Sequence, residues 1–232
     1  MKERNVLRCG VLTACMGICL LFAGCPDSDP DDLKPTGKVT FDYSLTCTNI
    51  LLEYATPVIK YTDEKGDTIV TQVGFEEFEK IDESSFYGDP TKKVIYYSWK
   101  MPSSITYNKK TDIKQYFCAQ AIPNPEAAKR IWRDNADSLT YCSMNASCVL
   151  TERKGKSDYP IDIPPKNVFS FSSSHSGKYY TAEEYVNSLI TEIITSFDSE
   201  GNLYWKYERR GKGSVSSIES DGKTFNTSST SL

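Results

Sequence analysis

Val39-Thr40-Phe41-Asp42-Tyr43-Ser44-Leu45-Thr46-Cys47 alternates apolar and polar residues without a break. Side chains on a strand point to opposite faces in turn, so this pattern writes a strand with one buried face. Similar runs follow. Val58 to Tyr61 and Thr68 to Thr71 flank Asp63-Glu64-Lys65-Gly66-Asp67, which predicts a hairpin. Lys93–Met101, Ile113–Ala121, Ser138–Thr151 (broken at Asn145), Val168–Phe171 and Leu203–Glu208 read as further strands. Short strands separated by turn signals predict a mainly β chain with minor α: a single antiparallel β-sandwich with one or two packed helices.

Two segments read as helices. Asn124-Pro125-Glu126 offers a cap, a first-turn proline and an acidic residue, and the helix is expected to run to about Asp134. Thr181-Ala182-Glu183-Glu184 has the form of a capping box. Tyr185, Val186, Leu189, Ile190, Ile193, Ile194 and Phe197 then recur at helical spacing, and Gly201 closes the run. That stripe is expected to pack on the domain's own sheet.

The chain divides by composition. Lys2, Arg4 and Arg8 precede an apolar stretch from Val11 to Ala23, too short to span a bilayer at ~20 residues and shaped like a secretory signal. The expected divisions are a signal over 1–24, a tether over 25–36, a sandwich over 37–210 and a Ser/Thr/Gly-rich tail over 211–232. In that tail Asp221-Gly222 could turn a last hairpin before frayed chain. Setting residues 1–24 aside leaves 24 basic and 30 acidic residues, a net charge of −6, with about half of it in the tether. A mildly acidic chain without a basic patch argues against nucleic acid as a partner.

Leu21-Phe22-Ala23-Gly24-Cys25 resembles the lipobox of bacterial lipoproteins, with Phe22 standing where Leu is usual. The resemblance implies cleavage after Gly24, lipidation of Cys25 and attachment to a membrane through the lipid. Ordinary secretion with a free Cys25 is the alternative. The acidic run Asp27-Ser28-Asp29-Pro30-Asp31-Asp32 is similar to the segment that sends Bacteroidetes lipoproteins to the exterior of the outer membrane. It also serves as a plain solvated linker. Leu51 through Gly66 resembles, over roughly the first third of the domain, small Bacteroidetes lipoproteins without an assigned function. That likeness brings no catalytic residue with it.

Cys47, Cys118, Cys142 and Cys148 belong to the domain. In an exported chain they allow three pairings, of which Cys142–Cys148 and Cys47–Cys118 are favoured, with buried free thiols as the alternative. Their spacing is wrong for zinc and His175 is the sole histidine, so no metal and no cofactor is expected.

No nucleophile elbow, phosphate loop or dinucleotide fingerprint is present, and no catalytic residue is assigned. His175 lies in a Ser-rich loop, and the pairs Glu76-Glu77 and Glu183-Glu184 diverge as sequence neighbours do. Fifteen tyrosines with Trp99, Trp132 and Trp205 suggest an aromatic sugar-binding face. Tyrosine is equally an ordinary strand residue. Asp67-Thr68-Ile69 and Asp137-Ser138-Leu139 are similar to the O-glycosylation acceptor of Bacteroidetes exported proteins, which implicates Thr68 and Ser138. The sequence thus points to a non-enzymatic lipid-anchored envelope protein on the cell surface that binds a glycan, a host ligand or an envelope protein. A hydrolase of polysaccharide or peptide and a subunit of a surface fibre are the alternatives.

Overall fold

The computed structural model describes residues 35–86, 89–124, 141–166, 182–211 and 214–231. They form two antiparallel sheets packed face to face, the β-sandwich expected from the alternation. In chain order the strands are β1 (Pro35–Thr48), β2 (Ala55–Thr62), β3 (Thr68–Gln72), β4 (Glu79–Phe86), β5 (Asp89–Lys100), β6 (Ile105–Tyr107), β7 (Lys114–Pro123), β8 (Met144–Lys154), β9 (Ser157–Ile163), β10 (Ile190–Phe197), β11 (Leu203–Gly211), β12 (Ser214–Ser220) and β13 (Phe225–Ser231). One sheet runs β4-β5-β1-β8-β9, with β6 also on β1, and the other runs β13-β12-β11-β10-β7-β2-β3.

β1 lies at the centre of the first sheet and its odd-numbered residues fill the core. Val39, Phe41, Tyr43, Leu45 and Cys47 are all buried. From the second sheet come Ile59, Phe117, Ala119, Ile193, Phe197, Trp205 and Tyr207. Tyr43 and Phe117, one from each sheet, stack with ring centroids 4.4 Å apart and planes 10° apart.

Two short helices close the interior. α1 (Asn49–Tyr54) follows β1 directly, where the Thr48 hydroxyl accepts the Leu51 N–H and caps it. Its Ile50, Leu51 and Tyr54 are buried. α2 (Ala182–Asn187) buries Tyr185 and Val186 against β7.

The helix expected from Thr181 to Gly201 is cut short by a strand. Only Ala182–Asn187 is helical, and Ile190–Phe197 is β10. The apolar positions satisfy both periods in part. β-Branched residues (Ile190, Thr191, Ile193, Ile194, Thr195) and ladders to β7 and β11 decide for the strand. Thr191, Ile193, Thr195 and Phe197 point inward. Gly201 (φ +79°) serves the β10–β11 turn rather than a helix end, with Asp198 accepting the Glu200 and Asn202 N–H groups.

The expected tail is also strand. Asp221-Gly222 turns β12 into β13, and β13 continues through Asn226–Ser231. Of the strand expected over Ser138–Thr151, β8 begins only at Met144, next to the break expected at Asn145, and residues 141–143 ahead of it are not strand. The first expected helix and the strand at 168–171 lie outside the described residues.

A buried ion pair straps one end of the sandwich. Lys110, in the loop between β6 and β7, reaches Glu152 of β8 at 2.5 Å and lies 5.4 Å from the Phe197 ring centre. Both charged side chains are largely removed from water.

Candidate functional site

The outer face of the seven-stranded sheet collects the polar chemistry of the chain. Alternation puts it there. Inward positions of β10 and β11 are Ile193, Phe197, Trp205 and Tyr207, so Glu192, Ile194, Tyr204, Lys206, Glu208 and Arg210 point outward. Strand register then arranges them in rows. One row reads Val70, Lys60, Cys118, Glu192, Glu208, Ser217, Ser228 from β3 to β13. The next places Tyr116, Ile194, Lys206, Glu219 and Asn226 beside it.

Glu192 and Glu208 face each other across β10 and β11. Like charges directly opposite repel, and the face is built to neutralise them. Arg210 donates from Nε to Glu208 Oε1 at 2.5 Å and from Nη2 to Glu192 Oε2 at 3.1 Å. Lys206 Nζ is 2.9 Å from Glu208 Oε2. The Tyr116 hydroxyl donates to Glu192 at 2.9 Å, and the Tyr204 hydroxyl donates to Glu219 at 3.0 Å. Around this network stand the exposed Ile122, Ile194 and Val70.

Burial works to raise the Glu208 carboxyl, but Lys206 and Arg210 outweigh it and hold the group below its ordinary 4.5. Burial pushes the Cys118 thiol up and keeps it protonated, so it is a poor nucleophile. General acid catalysis needs a carboxyl that stays protonated near neutral pH. Glu208 is held the other way. The arrangement suits binding by hydrogen bonds and ion pairs across an open sheet face.

A hollow of about 390 Å³ opens at one end of this sheet, lined by Asp112, Lys114, Asp198, Asn202, Tyr204 and Asp221 among others. Two of its carboxylates, Asp198 and Asp221, are committed to turns. Asp198 is held below 3.8 by hydrogen bonds from Asn202, and Asp221 by backbone N–H groups of Thr224 and Lys223. Among the described residues no group of His, Cys, Asp or Glu is placed to hold a metal ion. No described helix is long and apolar enough to cross a membrane.

These depressed carboxyls make a pH prediction. A folded-state pKa below the unfolded one adds stability that is present above the unfolded pKa and lost as pH falls through the folded one. Urea midpoints are therefore expected to hold from pH 7 to about 5 and to fall from there toward pH 3. Glu208→Gln should flatten part of that fall.

The sequence-derived positions separate widely. The four domain cysteines are free thiols, which corrects both favoured pairings. Cys148 lies four residues into β8, whereas Cys142 precedes that strand. An extended strand places four residues ~13 Å apart, beyond the ~7 Å reach of a disulfide. Cys47 faces the core from one sheet, and Cys118 sits on the outer face of the other. Thr68 is exposed where β3 begins. Gly24, Cys25, Ser138, Trp132 and His175 lie outside the described residues. Glu77 is occupied locally, accepting from the Gly74 N–H and Trp99 Nε1. Trp99 and Trp205 are core residues, and the exposed aromatics among the described residues are Phe75, Phe225, Tyr159 and Tyr204, of which Tyr204 stands on this face. Glu192, Glu208 and Arg210 escaped the sequence reading because Ile190–Phe197 was read with a helical period. The cluster of β-branched residues from Ile190 to Thr195 is the sequence signal for a strand that would place them.

No family model, no curated protein and no solved structure matches the chain.

Proposed function

We propose that the protein is a lipid-anchored protein of the cell envelope, attached through Cys25 at the outer-membrane surface, whose seven-stranded sheet binds a glycan on its outer face. The single observation behind the binding function is the network on that face. Three carboxylates, a guanidinium, an ammonium and two tyrosine hydroxyls lie in successive rows on an open surface. Sugar hydroxyls donate to carboxylates and accept from Arg and Lys, and an exposed tyrosine ring offers an apolar surface to a pyranose. An open sheet face accepts an extended chain of sugars without a cleft. The lipobox residues support the anchor. The first described strand opens at Pro35, about ten residues after Cys25, which suits a short tether.

Titration of the purified chain against a panel of polysaccharides tests the binding face. Arg210→Ala and Tyr204→Ala are expected to weaken the best ligand by about tenfold each, the scale of one charge-assisted or aromatic contact. Equal affinity in both variants, or no ligand in the panel, overturns the binding reading. Palmitate labelling that persists in Cys25→Ala overturns the anchor independently.

A further inference from the structure

The two sheets treat their edges differently. β4 carries Lys80, Asp82 and Glu83, and its register against β5 shifts at Ile81. β9 carries Asp158, Pro160 and Asp162. Charge, proline and irregular register are the devices that stop another strand from adding to an edge. β13 has none of them. Phe225-Asn226-Thr227-Ser228-Ser229-Thr230-Ser231 contains no charge and no proline, and it pairs with β12 in unbroken register over its whole length.

β13 also gains little from its own domain. Residues 225–230 are exposed on both faces, and the ring contact of Phe225 with Trp205 at 5.9 Å supplements the β12 ladder. Ordering a residue costs ~1–2 kcal/mol in backbone entropy, and an extension with no covered face returns little of it. A second ladder on the free side of β13 supplies what is missing. β3, the opposite edge of the same sheet, is also uncharged. It has five residues and lies between the acidic Asp63–Asp67 turn and Glu76-Glu77.

We propose that β13 pairs antiparallel with β13 of a second copy of this chain about a two-fold axis, joining two seven-stranded sheets into one continuous sheet. The edge is complementary to itself. Ser228 is its midpoint, and antiparallel pairing about that point sets Phe225 toward Ser231 and no charge against a like charge. Two-fold pairing closes the assembly, so the product is a dimer. The outer-face rows that end at Ser228 and Asn226 then run on into the partner's rows. This inference stands on the edge alone and is independent of the ligand.

Ser228→Cys in the full chain, oxidised mildly and run on a non-reducing gel, tests it. A covalent dimer severalfold above the background of the unsubstituted chain is expected. Adding Thr227→Lys and Ser229→Lys should return the dimer to background with an unchanged circular dichroism spectrum. Sedimentation of the unsubstituted chain should give twice the monomer mass. Cross-linking of Ser228→Cys at background, a monomer mass at tens of micromolar, or efficient cross-linking between separate Ser228→Cys and Val70→Cys copies would each overturn the proposal. The last result would mean head-to-tail pairing of β13 on β3.

Discussion

Phe117→Ala should cost the domain about 3–5 kcal/mol, read as a drop in the urea midpoint with little change in slope. Phe117 is fully buried on β7 and stacks on Tyr43 from the opposite sheet. Truncation removes the transfer free energy of the ring and leaves a hole that two hydrogen-bonded sheets cannot close around. Tyr43→Phe should behave in the opposite way. The Tyr43 hydroxyl is buried without a partner in hydrogen-bonding geometry. Nearby Gln115 is already engaged, accepting from Tyr107 and donating to the Thr62 carbonyl. Removing that hydroxyl relieves a desolvated polar group at no loss of ring packing, so stability is expected to hold or to rise by ~1 kcal/mol. A loss of more than 1 kcal/mol in Tyr43→Phe would show that the hydroxyl is satisfied.

Glu152→Ala is the second large effect, again about 3–5 kcal/mol, because it strands the Lys110 ammonium in a low-dielectric site. Lys110 lies between Glu152 and the Phe197 ring and packs beside Gly201 of the β10–β11 turn. It therefore ties three segments of different strands together. The double variant Lys110→Met/Glu152→Leu should regain most of the loss, since an apolar pair of similar size avoids both desolvation penalties. Urea unfolding of the two single variants and the double variant closes the cycle. A loss below 1 kcal/mol in both single variants would mean that water reaches the pair.

The fold was legible because β1 announces it. Nine alternating residues at the centre of a sheet leave no other reading, and the hairpin around Gly66 and the strand at Leu203–Glu208 were marked as plainly. What failed was the assignment of Ile190–Phe197. Two periods overlap there, and the choice between them is made by β7 and β11, which are distant in sequence. The error carried into the site. With β10 read as a helix, Glu192 and Glu208 could not be seen as opposite neighbours, nor Arg210 as their bridge. The cysteines failed for a related reason: spacing along the chain says nothing about which face of a strand a thiol occupies. Cys47 points into the core from its own sheet and Cys118 points out of the far face of the other, so the thickness of a sheet stands between the two thiols. Local signals, by contrast, transferred directly. Asp221-Gly222 turns a hairpin, although the strand beyond it was expected to be frayed chain.

A pull on the chain at Pro35 is a pull along β1. That strand is clamped on both sides, by β5 over five residue pairs and by β8 over ten. Antiparallel hydrogen bonds run across the strands, so tension along β1 loads them side by side and in shear. They cannot be peeled one at a time from that end, as they would be in an edge strand pulled sideways. The N-terminal strand is thus the one whose extraction requires many bonds to yield together.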